Sequence, residues 1–292
     1  MSYIHFIVNP ISGKGKHEIT ASYLKSFFPN DCYIIQVDYT EHKNHATELT
    51  RMAIEANPDI IVACGGDGTI NEVASCLIGT NIKLGIVPVG SGNGLAANLQ
   101  IPRKLNEALQ VIKDGNSTAI DVGKVNDQYF FSNMGIGIDA MIIKNYEHSG
   151  KRTLISYIRS ALSASLDFKP TNTLISFPNS LIIETPFMLF ISNSNEMGYG
   201  MSLTPKASLS DGLLDLVIIP PLTFKEKLLL GYYVLRNKTG NFKKAQHFLV
   251  DRLHLELPEK IFPDIQIDGE YHNLKTINID IAILPKALNV IA

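Results

Sequence analysis

Gly65-Gly66-Asp67-Gly68-Thr69 follows an unbroken apolar run, Ile60-Ile61-Val62-Ala63-Cys64, and leads into Asn71-Glu72. Apolar residues then recur at helical spacing: Ile70, Val73, Ala74 and Leu77. The pattern reads as a buried strand, a tight turn and a helix start. Glycines let the backbone turn sharply and let a ligand approach it. A helix start offers backbone N–H groups and partial positive charge to an anion. The chemistry is therefore that of a phosphate-binding turn with a carboxylate, Asp67, set inside it. The same letters also fit an ordinary strand-to-helix turn capped by Asp67 or Thr69.

Other stretches carry similar potential. Gly90-Ser91-Gly92-Asn93-Gly94 is a second glycine turn, after Lys83-Leu84-Gly85-Ile86-Val87-Pro88-Val89. Ile11-Ser12-Gly13-Lys14-Gly15-Lys16 suggests another phosphate loop or a flexible basic turn. It lacks the Gly-x4-Gly-Lys-Ser/Thr spacing of a P-loop. His42 and His45 have a metal-compatible spacing, but no third ligand is evident, and they read as an exposed helix start. Gly135-Ile136-Gly137-Ile138-Asp139-Ala140 matches the letters of a dinucleotide fingerprint but reads as a turn that carries an acid into a cleft. Two late acidic segments are Ser208-Leu209-Ser210-Asp211-Gly212-Leu213-Leu214-Asp215 and Ile267-Asp268-Gly269-Glu270. Asp-Gly pairs also make common hairpin turns. A carboxylate such as Glu270, projecting beside an apolar strand, could serve as a general base, worth about 10²–10⁴-fold in rate.

Positioning these groups requires elements that alternate. Strands are expected over 3–8, 32–39, 60–64 and 83–89. Helices are expected over 19–28, 46–56, from Ile70 and from Leu95. Such alternation argues for a parallel sheet, whose ligands sit beyond the carboxyl ends of the strands. Those ends carry Asn9-Pro10, Thr40, Gly65 to Thr69 and Gly90 to Asn93, so four small or polar clusters fall at one edge. After about residue 120 the pattern changes to mostly antiparallel β structure. A hairpin is expected with arms at 119–125 and 128–134, then strands near 173–177, 181–184, 187–192, 213–219, 254–257 and 277–283. Two apolar helices interrupt them, at 153–166 and 224–236. Their apolar faces either pack on the β domain or form an acyl-chain wall or membrane-contacting surface.

The bulk properties set limits. The chain has 292 residues, 45% hydrophobic and 18% charged, with net charge −2. That suits a well-buried globular protein with no basic surface announcing nucleic acid. Cys32, Cys64 and Cys76 show no metal or redox spacing. Without a signal-peptide pattern the expected setting is cytoplasmic and reducing. No apolar run approaches the roughly 18 residues of a membrane span, so any lipid would be reached from the surface.

Taken in order, six pieces resemble the diacylglycerol kinase catalytic-domain family, which includes soluble bacterial lipid kinases, sphingosine kinases and ceramide kinases. They are Asn9-Pro10 with Gly13, Gly65-Gly66-Asp67-Gly68-Thr69 with Asn71-Glu72, Pro88-Val89-Gly90-Ser91-Gly92-Asn93, Gly137-Ile138-Asp139-Ala140, Ser210-Asp211-Gly212 with Asp215, and Asp268-Gly269-Glu270. The resemblance implies an α/β nucleotide-binding domain over 1–122, rejoined by 285–292, and a β-sandwich lipid-substrate domain over 123–284. A cleft between them would hold ATP and the lipid hydroxyl.

By the same resemblance, Gly65, Gly66, Gly68, Thr69, Gly90 and Ser91 would hold ATP phosphates. Asn9 and Thr40 would seat the nucleotide, and Glu72 and Asn93 would support the site. Glu270 looks like the base of bacterial members. Sphingosine kinases give that role to the acid of the glycine turn, here Asp67, which could also position Mg²⁺. Ser208, Asp211 and Leu213 resemble a structural Mg²⁺ site, with Asp211 as side-chain ligand and carbonyls from the other two.

The second turn departs from the usual Gly-Thr-x-Asn-Asp of diacylglycerol kinases toward the sphingosine and ceramide kinase form. Asp139 falls where sphingosine kinases place a head-group contact, and otherwise reads as a turn cap. The expected activity is phosphoryl transfer from ATP to a membrane lipid reached peripherally, the acceptor being diacylglycerol or a sphingoid base or ceramide. The alternatives are an NAD kinase-like enzyme and a non-catalytic nucleotide or lipid sensor. A homodimer is left open, and no nucleic-acid partner is expected.

Overall fold

The computed structural model describes residues 1–13, 19–150, 153–178, 180–198, 200–260 and 262–292. The basic stretch Lys14-Gly15-Lys16 lies outside the described residues. Two compact units are present: Met1–Ile120 with Lys286–Ala292, and Asp121–Pro285.

The first unit alternates strand and helix. Its elements are β1 (Ser2–Val8), α1 (Ala21–Phe27), β2 (Tyr33–Tyr39), α2 (His45–Glu55), β3 (Ile60–Gly65), α3 (Asp67–Leu77), β4 (Lys83–Pro88), α4 (Gly94–Asn98) and α5 (Leu105–Asp114). The strands are parallel in the order β2-β1-β3-β4. Every residue of β3 is buried, as expected where a parallel sheet is covered on both faces and its strands read as continuous apolar runs. Helix α3 packs on β3 and α5 on β4. The former buries Ile70, Val73, Ala74 and Leu77, and the latter Ala108, Leu109 and Ile112. The helix expected from Leu95 stops early. Gln100 is left-handed, with φ 56°, and Pro102 cannot continue a helix, so α5 starts afresh.

The second unit is an antiparallel β-sandwich. Strand β5 (Ser117–Val125) leads into it. The rest comprises β6 (Gln128–Phe130), β7 (Asn133–Gly137), α6 (Ile138–His148), α7 (Leu154–Asp167), β8 (Thr173–Phe177), β9 (Ser180–Glu184), β10 (Met188–Ser192), β11 (Leu214–Ile219), α8 (Phe224–Leu235), β12 (Gln246–Val250), β13 (Arg252–Glu256), β14 (Asp264–Ile267), β15 (Glu270–Asn273) and β16 (Asn278–Ile291). One sheet runs β12-β11-β10-β7-β14-β15. The other runs β16-β13-β8-β9, with β5 and β6 beside β16. The last residues of β16 return to the first unit, where Val290 pairs with Leu84 in parallel.

Alternation along the strands divides the apolar residues between two cores. Leu189, Ile191, Leu216 and Ile218 face the sandwich interior with Ile175, Leu255 and Ile279. Met188, Phe190, Val217 and Ile219 face the opposite way and pack with Ile138, Ile142, Ala164 and Leu230 of α6, α7 and α8. Both faces of this sheet are covered, which explains runs such as Leu214–Ile219.

The expected hairpin turns at Asn126, with φ 48°. Its second arm is not one strand over 128–134. Gln128–Phe130 pairs with β5, whereas β7 joins the other sheet, between β10 and β14. The Asp268 carboxylate accepts the N–H groups of Phe131 (2.9 Å), Ser132 (2.8 Å) and Asn133 (3.1 Å). Phe131 and Ser132 therefore leave the ladder, and Asn133 opens β7, with their donors satisfied.

Among the described residues, no helix is long and apolar enough to cross a membrane. The apolar helices nevertheless keep much of that surface outside. On α7, Tyr157, Ala161 and Ala164 pack inward, while Ile155, Ile158, Leu162 and Leu166 are exposed. On α8 only Leu230 is buried, and Phe224, Leu228, Leu229, Tyr232 and Leu235 are exposed.

Candidate functional site

Register levels the ligand edge of the first unit. Val8 lies opposite both Tyr39 and Cys64, and Gly65 lies opposite Pro88. Asn9, Thr40, Gly66 and Val89 are thus the first residues past four adjacent strand ends. Backbone bonds carry the ladder one step further, from Asn9 N–H to the Cys64 carbonyl (2.9 Å), Thr40 to Val8 (2.9 Å) and Val89 to Gly65 (3.0 Å).

The two glycine turns touch backbone to backbone. A Cβ on Gly90 would sit 2.4 Å from Gly66 Cα, and one on Gly65 would sit 2.4 Å from Thr69 Cβ. Neither position leaves room for a side chain. Gly66 is the N-cap of α3 and no side chain caps it, so the dipole end of an eleven-residue helix opens at the junction of the turns. This is the geometry an anionic phosphate requires.

Asp67 joins the two turns chemically. Its Oδ2 accepts Asn93 N–H and its Oδ1 accepts Gly94 N–H, both at 2.7 Å. Gly92 leaves room for that carboxylate, because a Cβ there would lie 2.6 Å from Oδ2. Asn93 is buried and left-handed, with φ 58°. Its Nδ2 donates to the Gly90 carbonyl at 2.7 Å, and its Oδ1 has no partner among the described residues. A buried oxygen with an unfilled lone pair, next to a carboxylate, is the donor type that Mg²⁺ takes. The residues present therefore fit a phosphate with a hard cation beside it.

The flanking residues act as struts. Asn9 Nδ2 donates to Thr69 Oγ1 at 3.0 Å, tying the end of β1 to the first turn. Glu72 Oε1 accepts Asn44 N–H at 3.2 Å, holding the loop that follows Thr40. Thr40 is buried, and Ser91 is half-exposed at the open side of the second turn. Arg103 was not singled out from the sequence. Its guanidinium donates to the Gly92 carbonyl at 2.8 Å, bracing the second turn. A lone arginine behind Ile101-Pro102 gives no local signal of that role.

In the second unit, Asp268 and Gly269 form the two-residue turn between β14 and β15, both with positive φ (47° and 81°). That is the hairpin geometry Asp-Gly favours. Glu270 opens β15 opposite Ile267 and is half-buried. The turn is fixed by the Asp268 bonds to Phe131, Ser132 and Asn133, and by Gly269 N–H donating to Gln266 Oε1 at 2.9 Å.

The Ser208–Asp215 segment gathers acids. Asp211 Oδ1 accepts Leu213 N–H at 3.1 Å. Asp121, buried in β5, accepts Gly212 N–H at 2.7 Å, and its own N–H donates to the Leu209 carbonyl at 2.7 Å. Burial, and then the charge of Asp211, push the Asp215 carboxyl up to about 6. An oxygen-only donor set under mutual repulsion fits a divalent cation. Asp121 was missed from the sequence, where the available signal was a carboxylate inside the apolar run Ile120-Asp121-Val122.

Asp139 is buried. It sits in the first turn of α6, 2% exposed. A Cβ on Gly135 would lie 1.9 Å from its Oδ2, which has no partner among the described residues. Burial raises its carboxyl to about 6, against a smaller opposing effect of a hydrogen bond from Gln266. Gly135 is therefore needed to house an acid, and the glycine-rich letters there build a packed strand-to-helix turn. A cavity of about 290 Å³ opens beside this turn, lined by Gly137, Met141, Lys144, Phe168, Leu257 and Asp264 among others.

Comparison with known proteins agrees with the architecture of both units. Residues 3–125 match the diacylglycerol kinase catalytic domain. Residues 132–292 match the YegS C-terminal NAD kinase beta sandwich-like domain. The chain is 28% identical to a diacylglycerol kinase of Bacillus subtilis, over 93% of this chain and 90% of that protein. It is 32% identical to a Klebsiella pneumoniae protein named "Probable lipid kinase YegS-like", over 95% and 93%. A crystal structure from Bacillus anthracis superposes with a TM-score of 0.81 at 22% identity, covering 99% of this chain and 95% of that one. It shares the fold. With both of its units matched and a relative aligned over nearly its whole length, the chain belongs to the diacylglycerol kinase catalytic-domain family of lipid kinases.

Proposed function

We propose that the protein transfers the γ-phosphoryl group of ATP to the hydroxyl of a membrane lipid, with Mg²⁺. The observation that carries this reading is the pair of interlocked glycine turns at four level strand ends, closed by Asp67. Phosphoryl transfer depends on positioning and charge neutralisation rather than covalent help from the protein. Mg²⁺, when bound, neutralises phosphate oxygens as negative charge shifts between them. The residues of the chain do the rest. The start of α3 and the turns from Gly65 to Thr69 and from Gly90 to Ser91 hold phosphate oxygens through backbone donors. Asn9, Thr40 and Glu72 fix the loops around the nucleotide. Asn93 Oδ1 and Asp67 offer oxygen to the cation.

Each Asp67 oxygen accepts one backbone donor and keeps a lone pair for the cation, which favours a positioning role over proton abstraction. Glu270 is then the base that takes the proton of the lipid hydroxyl, while Ser208, Asp211 and Leu213 hold a structural Mg²⁺. The exposed apolar faces of α7 and α8 support approach to a bilayer surface. Asp139 is buried in the first turn of α6, which supports a glycerolipid such as diacylglycerol over a sphingoid base or ceramide as the acceptor.

The test is radiolabelled ATP with Mg²⁺ and vesicles carrying a total lipid extract, the labelled product being identified by mass. A phosphorylated glycerolipid is expected, lost in Glu270→Gln. Full activity in that variant would remove the base assignment. NADP formed from NAD and ATP, or ATP bound without lipid turnover, would overturn the reading itself.

A further inference from the structure

His42 and His45 lack a visible third ligand in the sequence, and folding supplies one. Helix α2 starts at His45, so Glu48 lies three residues on, along the same face. His42, in the loop before the helix, stacks on His45 with ring centroids 4.5 Å apart and planes 13° apart. One ligand atom from each of His42, His45 and Glu48 lies within 4.8 Å of the other two. From these contacts we infer that the three residues form a binding site for a first-row transition ion of the Zn²⁺ class.

The chemistry selects the ion. Two imidazoles and a carboxylate suit Zn²⁺, Co²⁺ or Ni²⁺, whereas Mg²⁺ prefers oxygen alone. Three protein ligands leave a coordination position for water, as in open zinc sites. Stacked rings hold their lone pairs in parallel planes, so ligation by both imidazoles turns His42 out of the stack. His42 Nδ1 faces the Lys43 carbonyl at 3.0 Å, and the tautomer that donates there leaves Nε2 with its lone pair. His45 must give something up. Its Nδ1 accepts Glu41 N–H at 3.0 Å, so binding replaces or rearranges that bond. An exposed site with this cost binds at micromolar rather than nanomolar strength.

Its place gives it a consequence. The loop from Glu41 to Asn44 follows Thr40 at the ligand edge, and Asn44 N–H is the group that Glu72 holds. An ion here clamps the loop to the start of α2, beside residues assigned to the nucleotide.

The full-length protein, stripped of metal, is titrated with Zn²⁺ by calorimetry and with Co²⁺ by visible absorption. One equivalent bound at micromolar concentration is expected, with affinity reduced roughly tenfold or more in both His42→Ala and Glu48→Gln. Both substitutions are at exposed positions, and circular dichroism of each variant verifies the fold. Excess Mg²⁺ leaves the bound ion in place. The inference is overturned by absence of micromolar binding, by binding unchanged in both variants, or by displacement with Mg²⁺. None of these outcomes depends on whether the chain phosphorylates a lipid.

Discussion

Substituting Asp67 separates two roles that a simple activity assay confuses. Its carboxylate accepts two backbone N–H groups, from Asn93 and Gly94, at 2.7 Å each. Hydrogen bonds to a charged acceptor contribute about 1.5–3 kcal/mol each, net of water. The side chain is half-exposed, so the lower figure applies, giving about 3 kcal/mol for the pair. Asp67→Asn keeps one acceptor oxygen and points an NH₂ group at the other backbone donor. One neutral bond survives and two donors face each other, for a net loss of about 2–3 kcal/mol. At roughly 2–4 °C per kcal/mol, the melting temperature falls by about 5–10 °C. The chain has no tryptophan, so far-UV circular dichroism through a urea series is the natural stability assay. Amide hydrogen exchange at Asn93 and Gly94 localises the effect. The reasoning fails if Asp67→Asn loses activity while its urea midpoint and those two amides stay unchanged. Asp67 would then act only on the metal or the proton.

Asp139 gives a pH signature. Its folded pKa is raised by burial to about 6 from the ordinary 3.8, so the folded state favours the neutral acid. The destabilisation is fully present above about pH 6 and fades as pH falls toward the unfolded value. Asp139→Asn should therefore gain stability over the native chain by roughly 1.5 kcal/mol more at about pH 8 than at about pH 5. A constant difference in urea unfolding at the two pH values would refute it. For the acidic loop, millimolar MgCl₂ should raise the melting temperature above about pH 6, where Asp215 is ionised. The effect should weaken below that and vanish in Asp211→Asn, and an equal shift in that variant would show that Mg²⁺ acts elsewhere.

The parallel half of the fold was legible because its information is local. An apolar run, a glycine or small polar residue and a helical pattern recur, and the level strand ends then follow from the topology. The bonds that make those ends a site are not local. Asp67 meets Asn93 and Gly94, and Glu72 meets Asn44; each pairing needs the folded sheet to exist. The second unit shows the same limit in another form. Residues 128–134 look like one strand, and only Asp268, far along the chain, explains why the segment changes sheets. For α7 the sequence left packing and exposure both open, and the fold divides the face: Tyr157, Ala161 and Ala164 pack inward, while Ile155, Ile158, Leu162 and Leu166 stay exposed. The Asp139 motif was legible as a turn carrying an acid, but the close fit of that carboxylate against Gly135 shows only in the fold.

The order β10-β7-β14 places a late strand beside an early one. Strand β7 can pair with β10 soon after both are made, but its other edge waits for β14, roughly 130 residues downstream. At about 5–20 residues per second, that edge is unpaired for on the order of 6–25 s during synthesis. Strand β4 waits longer still, since its partner is Val290 at the far end of the chain. For the nascent protein, the hazardous interval is therefore set by where two strands fall in the gene. Removing the last few residues would leave β4 with an open edge for good, and such an edge is a template for association with other chains.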